Sequence, residues 1–153
     1  MSEIFDKEKL SGEEIQNEVF RRMEKYNEKS FLEQFAIYLG TAQILEFGLK
    51  KLLITLFNAT EENLERKTLG QTRVELEKRG IRADYTELLK EVVSDRNYAA
   101  HELLSNNALL NSFNVTFSEN MQFKELKHFI YKLEQAVLIF DYIQHSNAWL
   151  IKA

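Results

Sequence analysis

The sequence predicts an all-α protein, an antiparallel bundle of four to five helices. Three observations carry that reading. Proline is absent and there are only five glycines among 153 residues, so little interrupts a helix. Apolar residues recur at spacings of three and four over long runs, the period of one helical face. Two of those runs are preceded by Ser-x-x-Glu, the form of a capping box. No internal repeat, low-complexity segment or linker divides the chain, and its length suits one domain over residues 1–153.

The elements follow in order. Residues 1–10 are mixed and predicted to fray. Ser11-Gly12-Glu13-Glu14 caps a first helix that runs to about Glu28, with Ile15, Val19, Met23 and Phe20 as a narrow stripe. It reads as the least amphipathic of the helices. Ser30-Phe31-Leu32-Glu33 caps the most hydrophobic helix, which ends near Asn58. Phe31, Phe35, Leu39, Ala42, Leu45, Leu49, Leu52 and Leu56 form its main face. Ile37, Ile44, Leu53 and Ile54 widen that face, so the helix is expected to be covered on more than one side. Residues 59–67 are a polar connector with room for one helical turn. Thr68 caps a short helix with Leu69, Thr72 and Leu76 inward, and Gly80 after Lys78-Arg79 stops it. Asp84-Tyr85-Thr86-Glu87 opens a fourth helix that reaches Leu104. Residues 105–107 and 111–112 read as turns, and residues 113–117 as an extended loop. The last helix begins near Asn120 and runs to Ile151.

Bulk composition excludes several classes of function. There is no cysteine, hence no disulfide framework and no thiolate metal site. The net charge of −4 argues against a general nucleic-acid coat, whose non-specific affinity comes from cationic contacts to phosphate. It leaves room for a small cleft with a few cations. The N-terminus lacks a basic region followed by an apolar run, and no apolar stretch is long enough for a bilayer. A soluble cytoplasmic protein without a membrane partner is expected. Neither a Gly-rich phosphate loop, a His-Glu-x-x-His site nor a nucleophile elbow is present, and no cofactor is implied.

One stretch has residue types suited to chemistry as well as packing: Asp95-Arg96-Asn97-Tyr98-Ala99-Ala100-His101-Glu102. Asn97 and His101 are four apart and share a helical face. Arg96 and His101 are five apart, about 140° around a regular helix. They converge only if the arginine swings round, if the helix loosens after Arg96, or if a second subunit supplies equivalents. RNA cleavage without metal requires a base for the 2′-hydroxyl, an acid for the leaving 5′-oxygen and a cation for the phosphorane. An imidazole serves the first two because it titrates near neutrality. A guanidinium serves the third because its fork matches phosphate oxygens. One chain offers one such histidine, so a two-fold dimer pairing two motifs would complete the set.

The Arg-Asn-x-x-x-His pattern of Arg96, Asn97 and His101 resembles the signature of the HEPN superfamily, helical proteins that include ribonucleases of toxin–antitoxin and phage-defence systems. The resemblance covers roughly residues 30–150, but only the motif is specific. It implies a metal-independent endoribonuclease, a homodimer with a composite cleft, an RNA substrate, and an antitoxin or operon partner. Carried over to this chain, His101 is the general acid/base, Arg96 holds the scissile phosphate, and Asn97 orients the histidine or the substrate. The pattern departs from one branch of the family, in which a tyrosine two residues past the histidine is modified by a nucleotidyltransferase antitoxin. That position is Leu103 here. The competing reading is a non-catalytic helical interaction or dimerisation module, in which the same side chains join an interface.

Other candidates have ordinary roles open to them. Glu46, on the most apolar helix, could orient Arg96, but a pair with Lys50 at i+4 is preferred. Asp141 and His145 are four apart, yet two ligands do not make a metal site. His128 lies off the apolar stripe and is expected at the surface. Trp149 is expected to close the bundle end. Phe113, Val115 and Phe117 could stack bases, though packing over the bundle is the commoner outcome.

Overall fold

The computed structural model describes residues 10–103, 105, 108 and 117–150, with side chains in the last stretch described from 122 onward. The described residues are helical, with no strand among them. The six α-helices among the described residues are α1 (Gly12–Arg22), α2 (Phe31–Phe57), α3 (Glu61–Leu64), α4 (Leu69–Lys78), α5 (Ala83–Tyr98) and α6 (Phe117–Ser146). A 3-10 turn, Met23–Tyr26, extends α1, and a π-helical turn, Ala99–Leu103, extends α5. The expected fraying of residues 1–9 and the extended run at 113–116 lie outside the described residues.

Local chemistry explains most of the boundaries. Ser11, Ser30 and Thr68 each accept the N3 backbone N–H, and the N3 side chain returns a bond to the cap, closing three capping boxes. α2 ends where Asn58 turns left-handed (φ 54°), and Gly80 does the same after α4 (φ 86°). α1 stops six residues short of the predicted Glu28: it tightens into the 3-10 turn Met23–Tyr26, and the extended Asn27 and left-handed Glu28 (φ 62°) then end the helical run. It is also the most sharply two-faced of the long helices, not the least. A left-handed glutamate costs about 1–2 kcal/mol, against about 0.5–1 kcal/mol of extra chain entropy for glycine. Glu28→Gly should therefore raise stability by about 0.5 kcal/mol, read as a higher urea midpoint, with no gain for Glu28→Ala.

α5 opens at Ala83, one residue before the predicted Asp84. Arg82 precedes it with no side-chain cap bond, and the C-terminal turn holds this point instead, through Arg82 N–H to the Trp149 carbonyl at 3.0 Å. That same turn ends α6 at Ser146, short of the predicted Ile151. Asn147 goes left-handed (φ 52°) and Ala148 N–H bonds back to the Ile143 carbonyl at 3.1 Å. Ser105 and Ala108 are helical where a turn was predicted around 105–107.

α2 packs against α4 and α6, and α5 packs against the same two helices, so α2 and α5 stand at opposite corners of a four-helix core. α1 lies against α6. The bundle is not antiparallel throughout. Phe31 meets Phe123 (centroids 5.5 Å) and Gly48 faces Phe140, so α2 and α6 run the same way. α5 opposes α6, with Tyr98 on Phe129 (5.8 Å) and Glu91 paired to Lys132 (2.8 Å). The chain can start α4 beside the middle of α2 because the 58–68 connector folds back: Leu64 shares a groove with Lys50 and Ile54.

The core takes Leu49, Leu76, Leu89 and Leu133, each fully buried. On α2 it takes Leu53, which the sequence places on the widened face, and Tyr38, which it does not; Leu39 is half-buried against the core and Leu56 is exposed. The flanks of α2 against α4 and α6 are covered, but its outward face is not: Ile44 and Phe47 are 73% and 68% exposed. Buried charge is paired. Glu134, 1% exposed, receives Lys25 at 2.5 Å, and Glu18 receives Arg21 and Arg22, as burial of a carboxylate requires. No helix among the described residues is long and apolar enough to cross a membrane.

Candidate functional site

α5 carries the Arg96–His101 stretch to the end of the bundle. Its first part is a regular helix with Tyr85, Leu89 and Val92 in the core. At Ala99 the backbone widens to a π turn, with Ala99 and Leu103 both buried. Such turns bond i to i+5 and recur at functional sites. The widened turn brings residues five apart nearer to one face than a regular helix would. The helix therefore loosens after Arg96, but among the described residues no hydrogen bond joins Arg96 to His101.

The three motif residues occupy different environments. Arg96 is half-buried; Asn97 and His101 are exposed on the outer side of α5. Arg96 Nη1 donates to Asn97 Oδ1 at 3.4 Å, a long and weak contact. Among the described residues no carboxylate forms an ion pair with Arg96. Glu46 pairs with Lys50 at 3.2 Å instead, the preferred of the two arrangements expected from sequence. A cation, an amide and an imidazole thus stand on one turn, with the arginine free of a fixed acidic partner. That set can hold a phosphate and move a proton beside it.

No protein-family model, curated protein or solved structure matches this chain.

The seam between α5 and α6 beside the motif is polar. Glu91 pairs with Lys132 (2.8 Å), and one turn on Asp95 stands across from His128. Burial pushes the Asp95 carboxyl above its ordinary value, His128 and Lys132 oppose the shift, and Glu91 adds to it. Tyr98 lays its ring edge-on to Phe129, and the Glu125 carboxylate beside it raises its hydroxyl. Leu103, two residues past His101, is buried. His128 is exposed, as expected.

The raised Asp95 value fixes a sign. The native state binds this proton more tightly than the unfolded chain, so stability falls as pH rises through the raised value. Asp95→Asn should be more stable than the unmodified protein at neutral pH. The gain should vanish below about pH 3.9, the ordinary aspartate value, where both states are protonated. Urea midpoints measured across pH 3–8 test this; a constant offset at every pH would contradict it.

Sequence reading missed Asp95 and Tyr38. Asp95 carried a signal, a carboxylate one turn before the buried Ala99, at the flank of the core-facing stripe. Tyr38 carried little, since Leu39 fitted the apolar spacing as well. The remaining candidates have structural roles. Asp141 pairs with Arg22 at 3.2 Å, across α1 and α6. Among the described residues no three His, Asp or Glu side chains gather as a metal set. Trp149 is 1% exposed against Tyr85 and Phe140, with its indole N–H on Gln144 at 2.7 Å. It closes the bundle end. Phe113 and Val115 lie outside the described residues.

Proposed function

We propose that this chain is a metal-independent endoribonuclease of the HEPN type, acting as a homodimer. His101 is the general acid/base, Arg96 stabilises the scissile phosphate and Asn97 orients the imidazole or the substrate. The observation that supports this best is the π turn that starts three residues after Arg96 and includes His101, beside an arginine with no carboxylate paired to it among the described residues. A structural arginine half-buried in a bundle would be expected to hold an acidic partner. A phosphate-binding arginine is better left without one. One chain presents one motif histidine, so two motifs facing across a two-fold axis supply acid and base together. The setting implied is a toxin or phage-defence system in the cytoplasm, with an antitoxin or operon partner.

A second reading, a non-catalytic interaction module, draws on the outward face of α2, where Ile44 and Phe47 stand exposed. The two separate by incubating a mixed RNA pool with the protein in excess chelator, beside Arg96→Ala and His101→Ala, each sized in solution. Chelator-resistant cleavage lost in both variants, with dimers retained, supports the nuclease. Absence of cleavage by the unmodified protein across RNA substrates supports the module.

A further inference from the structure

The hydroxyl of Tyr38 is the one buried side-chain polar atom without a hydrogen-bond partner among the described residues. Tyr38 is fully buried, so bulk water does not reach it. Buried hydroxyls are nearly always bonded, and an orphan asks for a cause.

The fold places this atom behind the motif. α2 and α6 run parallel from the Phe31–Phe123 contact, so seven residues on, Tyr38 is level with Ile130. α5 opposes α6 from the Tyr98–Phe129 contact, which sets Arg96 and Asn97 at that same level. α2 and α5 occupy opposite corners, and a tyrosine is long enough to extend across the core between them. Both Asp95 and Arg96 lie within electrostatic reach of the hydroxyl. Of the two, Arg96 lies nearer the core side of α5: it stands seven residues past Leu89, almost in line with that fully buried side chain, whereas Asp95 turns to the α6 seam.

We propose that Tyr38 is a positioning residue for Arg96: an inward swing of the arginine side chain brings an N–H of the guanidinium onto the phenolic oxygen, which stands without a partner in the present arrangement, and with Asn97 this contact holds the guanidinium from behind. A guanidinium has five N–H donors. With one on Tyr38 and one on Asn97, three remain directed outward for phosphate oxygens. The present contact to Asn97 alone is too long to hold the fork, and the orphan hydroxyl is its missing second support. The inference rests on the nuclease reading for its consequence in catalysis, but not for the contact itself.

The test uses the full chain and the variant Tyr38→Phe, which keeps the ring and removes only the oxygen. Arginine side-chain NH signals are recorded by NMR, with that of Arg96 identified by its loss in Arg96→Lys. The expected result is a displaced Arg96 signal in Tyr38→Phe, together with a fall in kcat of about tenfold and KM changed less than about twofold, the pattern of a misoriented transition-state contact. An Arg96 signal that stays in place in Tyr38→Phe overturns the proposal, whatever happens to activity. A displaced signal in a protein that cleaves no RNA keeps the Tyr38–Arg96 contact and rejects the nuclease reading.

Discussion

His101→Ala is expected to lower RNA cleavage by about 10²–10⁴-fold, the usual contribution of a positioned general acid/base. Arg96→Ala should lose about 10²–10³-fold, the scale for removing one preorganised donor from developing negative charge. Neither change should unfold the protein. His101 is exposed, and Arg96 has no ion pair among the described residues to forfeit. The losses should therefore appear in single-turnover rates while urea midpoints move little. The double variant should be no worse than the sum of the two implies, since the groups act on one transition state. Mixing the two single variants adds a sharper test. In a composite cleft, a mixed dimer brings one intact arginine from one subunit to one intact histidine of the other, and partial activity returns. If each motif works alone, mixing restores nothing. Full activity in His101→Ala would end the acid/base assignment and move the motif to the interaction-module reading.

Trp149→Ala is expected to destabilise the fold by about 3–5 kcal/mol, the range for emptying a buried tryptophan site. Its indole packs on Tyr85 (5.4 Å) and Phe140 (5.2 Å) and donates to Gln144. The turn it anchors also supplies the carbonyl that receives the Arg82 N–H at the start of α5. Loss of the ring therefore removes packing at the bundle end and loosens the start of the helix that carries the motif. Against a typical total of about 5–15 kcal/mol, this is the largest single-residue effect expected here. The reading is the urea midpoint at constant m-value. A change below about 1 kcal/mol would mean that the C-terminal turn does not hold its place in solution.

How far the sequence could be read depends on which scale of interaction sets each feature. Capping boxes involve residues three apart, so Ser11, Ser30 and Thr68 were identifiable by inspection, and the starts of α1, α2 and α4 followed. Gly80 and Asn58 were legible as stops for the same reason. Where a boundary depends on distant groups the reading drifted. The start of α5 is held by a carbonyl 67 residues away, at Trp149, and the end of α6 is set by that tryptophan folding back under Tyr85. Tyr38 was passed over for Leu39 because either one continues a three-or-four spacing. Only the position of α4 and α6 around α2 selects between faces about 100° apart.

The sequence by itself determined the helical class, the single polar motif on an apolar-periodic helix and the local caps, because each depends on neighbours within one or two turns. Tertiary structure alone decided the rest. It set the parallel run of α2 and α6, the widened turn that carries His101, and the orphan hydroxyl of Tyr38 level with Arg96. These depend on which helix faces share a core. Burial free energy summed over many residues decides that, and no short stretch encodes it.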